Sequence, residues 1–259
     1  METYLVSSPN PTAGLCNRIF CLVSCLRLSE INSSKVALKW QKNDRFNCNF
    51  EDLFENKLID ASTINSLHQG SKKIKYVNTW RLLFSLDKIH STNNKITNDF
   101  LGDEYETVSL ENRNKFLPYF NLLQPTHYIE NEVNSFAKNF NENTISMALR
   151  TWEQTESRQH LFKLDRVKAI IDANPNSTFF ISCDSETTLN EIKNSYGKRI
   201  LHYPSRTVTG DRNSTEGIQD ALIDVLLLSK NTKLKASRLS TFSEAAWWFG
   251  QCKADVQII

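Results

Sequence analysis

No run of like charges stands out in this sequence, and 31 basic residues against 29 acidic ones leave a net charge of only +2. That near-balance argues against a basic stripe for nonspecific nucleic-acid binding, so any anionic ligand must be held by local groups. No stretch approaches the roughly 18 to 20 apolar residues that a membrane span needs. Met1 to Ser8 lack the basic n-region, apolar run and small-residue cleavage site of a signal peptide, and the expectation is a cytoplasmic protein with reduced thiols. The six cysteines (Cys16, Cys21, Cys25, Cys48, Cys183 and Cys252) contain no C-x-x-C pair. Cys21 and Cys25 sit one helical turn apart, a spacing that suits a buried helix face better than a zinc site. The first strand is not followed by G-x-G-x-x-G, which weighs against a dinucleotide-dependent dehydrogenase. Low-complexity tracts and internal repeats are absent too.

What is present is a core. Forty per cent of the 259 residues are apolar, enough for one large α/β domain or two small lobes. The second half alternates short β-branched runs with amphipathic helices. Strands are expected at Thr144–Arg150, Ser177–Asp184, Arg199–Tyr203, Lys233–Ser237 and Ala254–Ile259. Helices are expected between them at Leu164–Asn174, Glu186–Ser195, Thr215–Lys230 and Thr241–Phe249. This rhythm predicts a parallel sheet with helices on both faces. The first half opens in the same way, with a strand at Thr3–Ser7, a loop at Pro9–Arg18, a helix at Ile19–Glu30 and a strand at Lys35–Trp40. Beyond it the pattern degrades into polar stretches such as Asn93–Asp103, and Lys57–Asp103 carries no readable motif. A helix at Asn131–Asn141 follows Pro125, and the domains are drawn at 1–130 and 131–259. Trp247 and Trp248 belong either to the core or to a partner contact.

Four constellations could carry chemistry. The loop Ala13 to Arg18 joins a strand to a helix, where unpaired N–H groups favour anions. Gly14 lets a ligand approach the backbone there, and Asn17 and Arg18 supply donors; the alternative is a structural turn with a solvent-facing arginine. Arg150 ends a buried strand, the edge at which ligands collect in open α/β sheets, and its fork suits a diphosphate. Its alternative is an ion pair with a neighbouring acid. Arg238, Ser240, Thr241, Phe242 and Ser243 follow a strand and open a helix, so capping and phosphate binding can coexist. Asp224 lies among Leu222, Ile223, Val225, Leu226 and Leu227, where a carboxylate is costly unless a nucleobase N–H edge or an arginine partners it.

Read in order, these residues resemble the fucosyltransferase superfamily that includes the nodulation α-1,6-fucosyltransferases and the protein O-fucosyltransferases. Gly14-Leu15-Cys16-Asn17-Arg18 resembles that family's G-x-x-N-R/Q opening, and Phe50-Glu51-Asp52-Leu53-Phe54 its D-L-F segment. Tyr119 to Pro125 is similar to the Y-F-x-x-L-x-P stretch before the second domain. Asp224 to Ser229 and Ser240 to Ser243 resemble the closing D-x-x-x-L-S and S-T-F-S pair. The resemblance implies a GT-B fold of two Rossmann-like lobes with mostly parallel sheets facing a central cleft. It implies a nucleotide-sugar donor of the GDP-sugar type on the C-terminal lobe, a carbohydrate or glycan acceptor on the N-terminal side, inversion, and no cofactor or metal. No D-x-D stands in a metal-site context; Asp184-Ser185-Glu186 reads as a strand end and helix cap. Under the same resemblance Arg150 holds the β-phosphate, Asp224 reads guanine, Ser240–Ser243 bind the pyrophosphate, Asp184 lines the donor side, and Asn17 lies near the transferred sugar. The family's H-x-R appears here as Ala148-Leu149-Arg150, and the arginine and aspartate usual after it are replaced within Thr151-Trp152-Glu153. A related donor sugar fits that departure.

Inverting transfer needs stabilisation of the leaving diphosphate and commonly a base for the acceptor hydroxyl. Arg150, helix N-termini and Arg18 or Arg238 supply the first. Glu153 and Glu156 are the base candidates. The competing reading is a sugar-nucleotide-binding protein without catalysis, a degenerate relative acting as a partner subunit.

Overall fold

The computed structural model describes residues 2–67, 71–83, 105–153 and 155–259. The chain divides into two compact units, Met1–Thr126 and His127–Ile259. Each is built on its own sheet, and the strand pairings among the described residues are parallel.

In the first unit β1 (Glu2–Ser7) leads into α1 (Leu15–Ile31), β2 (Lys35–Leu38), β3 (Ile59–Asp60) and the short α2 (Ile64–Leu67). Then come β4 (Lys72–Val77) and α3 (Leu110–Leu122), and the strand order is β3-β2-β1-β4. Alternate residues of β1 serve opposite faces, as the two-residue repeat of a strand requires. Leu5 packs with Cys21, Cys25, Leu28 and Val77, whereas Tyr4 and Val6 pack with Ala37 and Ile64. Cys21 and Cys25 therefore occupy the buried helix face that their spacing suggested. Their thiols donate to the carbonyls of Val77 (3.2 Å) and Leu5 (3.4 Å).

The second unit starts with α4 (His127–Phe136), followed by β5 (Thr144–Leu149), α5 (Leu164–Asp172), β6 (Thr178–Cys183), α6 (Glu186–Tyr196) and β7 (Ile200–Leu201). It ends with α7 (Thr215–Leu228), β8 (Lys233–Ala236), α8 (Thr241–Phe249) and β9 (Asp255–Ile258). Its sheet order is β7-β6-β5-β8-β9. One face of β5 and β6, carrying Ile145, Met147, Leu149, Phe179 and Ile181, packs on Val167, Ile171, Leu189 and Ile192 of α5 and α6. On the opposite face small hydroxyl residues receive α7: Ser146 Oγ donates to the Leu228 carbonyl at 2.8 Å and Ser182 Oγ to Asp224 at 2.6 Å. Ser185, Ser214 and Ser240 cap α6, α7 and α8 by accepting from backbone N–H groups of the first turn. Trp247 and Trp248 are 1% and 0% exposed, so they belong to the core. Among the described residues no helix is long and apolar enough to cross a membrane.

The structure departs from the sequence reading at several places. The helix expected at Ile19–Glu30 begins at Leu15, because the Gly14 carbonyl already accepts from the Arg18 N–H at 3.1 Å. Asn17 and Arg18 thus belong to a helix and not to a loop. The strand expected through Trp40 ends at Leu38; Trp40 turns away to pack edge-on against Phe46 and Phe50, and its indole N–H reaches the Cys48 carbonyl at 3.1 Å. The helix placed at Asn131–Asn141 runs instead from His127 to Phe136 and finishes in a 3-10 turn at Ala137–Asn139. Two elements had gone unread. β4 is a lysine-rich edge strand, whose exposed charges hide its period. α3 contains Pro118, a helix breaker by propensity, yet buries Phe116 and Phe120, with Phe120 edge-on to Phe20 of α1 at 6.1 Å. The whole Asn93–Asp103 stretch and part of Lys57–Asp103 lie outside the described residues.

Candidate functional site

From β5 the second unit builds outward through β6 to β7, then returns past β5 to add β8 and β9. The reversal falls between β5 and β8, and the carboxyl ends of such strands are where open α/β sheets collect ligands. Ser237 locks the two ends together. Its hydroxyl donates to the Ala148 carbonyl at 2.8 Å and accepts from the Arg150 N–H at 2.7 Å.

Arg150 is the first residue beyond β5. Its Nη1 lies 2.7 Å from Asp184 Oδ2, so the ion pair considered from sequence is present. The pair does not seal the arginine, whose side chain is 32% exposed. Asp184 spends its other oxygen on Thr151, accepting from its N–H at 2.7 Å and its hydroxyl at 2.9 Å. Asp184 therefore positions Arg150 and Thr151, with both carboxylate oxygens engaged. The next residue, Trp152, has φ +60, a left-handed conformation that a bulky side chain seldom adopts. The residue is 9% exposed, and its indole lies under two guanidinium groups, Arg150 at 5.1 Å and Arg158 at 4.9 Å from the ring centre. Glu153 is exposed on the same loop and Glu156 is exposed at the start of the 3-10 helix Glu156–Leu161 that follows.

The loop after β8 repeats the pattern of strain. Leu239 has φ +55, just ahead of the α8 cap. Ser240 Oγ accepts from the Ser243 N–H at 3.4 Å, a long capping bond. Ser243 is fully buried and its hydroxyl has no hydrogen-bond partner. Arg238 is exposed, while Thr241 and Phe242 are half-buried. Two strained non-glycine residues thus sit in the loops that leave the two strands flanking the reversal. Strain of this kind costs on the order of 1–3 kcal/mol per residue and persists where the surroundings impose it.

Asp224 lies one layer deeper. Oδ2 accepts from Ser182, while Oδ1 is buried without a hydrogen-bond partner. Burial pushes its carboxyl up to about 7, against the lowering effect of the Ser182 bond. A guanine edge touches Oδ1 only if the atoms covering it part.

In the first unit the Gly14 junction is extended (φ −74, ψ 175), with no side chain capping α1. Asn17 is half-buried in the first turns of that helix. Arg18 is neither solvent-facing nor open to a ligand at large, being 1% exposed. Its Nε donates to the Ala13 carbonyl at 2.9 Å and Nη2 to the Pro11 carbonyl at 3.2 Å, and its guanidinium carbon lies 4.0 Å from the ring centre of Phe46. Burial lowers its pKa to about 10. Arg18 braces the 11–13 loop that it was expected to furnish with a free donor.

No protein-family model and no curated protein matches the chain by sequence. Solved structures match by fold. NodZ α-1,6-fucosyltransferase soaked with GDP-fucose is similar at TM-score 0.62 and 16% identity, over 96% of this chain and 93% of that one. FUT1 of Arabidopsis thaliana, as a mutant in complex with GDP, is similar at TM-score 0.61 and 16% identity, over 100% of this chain and 70% of that one. POFUT1 in complex with GDP is similar at TM-score 0.55 and 9% identity, over 99% and 98%. The chain has the fucosyltransferase-like GT-B fold. Ala148, two residues before Arg150, is 3% exposed and pairs with Ser182 and Ala236.

Sequence reasoning missed Ser237, Trp152, Leu239 and Arg158. A serine ending a strand is too common to single out, and a left-handed tryptophan leaves no mark in a sequence. Arg158 carried one usable signal, its place in the polar segment directly after Arg150.

Proposed function

We propose that the chain is a glycosyltransferase that moves fucose or a related sugar from a GDP-sugar to a hydroxyl of a carbohydrate or glycan acceptor, with inversion and without a metal ion. The observation that carries this reading is Arg150, held by Asp184 at the sheet reversal of the second unit yet one-third exposed. The fold supports it, since the similar NodZ structure was soaked with GDP-fucose and the FUT1 and POFUT1 structures are complexes with GDP. In this reading the acceptor oxygen attacks the anomeric carbon as the bond to the β-phosphate oxygen breaks. The charge arriving on GDP is met by Arg150 and by N–H groups at the start of α8, where Ser240 to Ser243 lie. Arg238 adds an exposed cation beside that turn. Asp224 is the acceptor that a guanine N–H edge would satisfy once its cover parts. Glu153 or Glu156 takes the acceptor proton, the first unit serves the acceptor, and within it Gly14 and Asn17 lie toward the transferred sugar.

Calorimetric titration of wild type and Arg150→Ala with GDP, UDP and CMP tests the reading. GDP binds the wild type, UDP and CMP do not, and the variant loses about 1.5–3 kcal/mol, as for a hydrogen bond to a charged group. Binding of UDP or CMP instead removes the GDP-sugar assignment, and no nucleotide binding removes the donor site. Binding of GDP-fucose without turnover on a panel of glycan acceptors leaves a binding protein in place of an enzyme.

A further inference from the structure

The Arg150–Asp184 pair is neutral as a unit, whereas a nucleoside diphosphate carries more than one negative charge. A second cation is needed at the same edge if the diphosphate is to be held by side chains. Trp152 presents one. Its indole is shared by Arg150 at 5.1 Å and Arg158 at 4.9 Å, so one buried ring carries both guanidinium groups. A guanidinium stacked by its face keeps its N–H edge available to phosphate oxygens, a geometry that lysine cannot reproduce. Arg158 is exposed and has no carboxylate within ion-pair distance among the described residues. Trp152 has a left-handed φ, and two arginines eight apart in sequence meet on its ring.

We infer that Arg158 is a second diphosphate-binding residue, carried on Trp152 beside Arg150. This rests on the reading of the second unit as a GDP-sugar site. Arg158 engages a second oxygen of the β-phosphate that Arg150 holds, and the two arginines share the negative charge as the sugar departs. The position next to Arg150 in sequence, Thr151, cannot do this, because both of its donors are bonded to Asp184.

The test is titration of wild type, Arg158→Gln and Arg158→Lys with GDP and with GMP, beside thermal melts of each protein. Arg158→Gln should weaken GDP by about tenfold or more while changing GMP by less than about threefold. Arg158→Lys should recover only part of the loss, and the melting temperature should stay level because the side chain is exposed. Equal weakening of GDP and GMP would assign Arg158 to loop support and overturn the inference. So would GDP binding unchanged within about twofold in Arg158→Gln while the wild type binds GDP; the donor site would then survive without Arg158. A wild type that binds no GDP removes both readings.

Discussion

Asp184 holds two consecutive residues at once, Arg150 through Oδ2 at 2.7 Å and Thr151 through two bonds to Oδ1. A carboxylate used in this way fixes the direction in which the chain leaves β5, and with it the aim of the arginine. The pair is partly exposed, so its worth to stability is small and its worth to positioning larger.

Asp184→Asn keeps an oxygen for Thr151 and removes the charge that orients Arg150. Transfer from the GDP-sugar, measured as kcat/KM, should fall by about tenfold, on the order of 1.4 kcal/mol, with little change in thermal stability. Unchanged kcat/KM would show that Arg150 holds its orientation without Asp184.

Asp224 makes stability depend on pH. Burial raises its folded pKa to about 7 from the ordinary aspartate value of 3.8, so across that window the folded state keeps a proton that the unfolded chain has released. Stability is therefore greatest below the unfolded pKa, falls as pH rises through the folded one, and levels off above it. Asp224→Asn should flatten this slope: between pH 5 and pH 8 the wild type should lose about 1 kcal/mol or more relative to the variant, read from urea midpoints. Parallel pH profiles would refute a raised carboxyl at this position.

Gly217 opens the way into α7 by lacking a side chain. A β-carbon there would stand 2.6 Å from the Asp211 carbonyl oxygen and 3.0 Å from Thr207 Oγ1, while the Gly217 N–H takes the Ser214 cap at 3.0 Å. Gly217→Ala should destabilise the fold by about 1–3 kcal/mol through overpacking against backbone. A urea midpoint equal to that of the wild type would mean the 207–211 loop yields freely.

Where two physical signals agreed, the fold was legible. In the second unit the β-branched runs and the apolar helical faces agree, and serine caps mark α6, α7 and α8, so β5 to β9 and α5 to α8 emerge close to their observed bounds. In the first unit the signals conflict. Lysines mask β4, Pro118 masks α3, and Gly14 offers no capping side chain to mark the start of α1. Packing settles each of these, and packing is not written locally.

The sequence by itself determined the parallel α/β architecture, since apolar period and turn chemistry are properties of neighbouring residues. It also placed Arg150 at a strand end and the Ser240 cap at a helix start, because both follow from those periods. Only the tertiary structure decided how each side chain is used. Arg18 became a buried brace because Phe46 and the Pro11 and Ala13 carbonyls converge on it. Arg158 came to share the indole of Trp152 with Arg150, a meeting of residues eight apart that no local pattern records. Charge and donor capacity belong to a residue type, whereas the partners that consume or spare them are set by the residues that folding brings alongside.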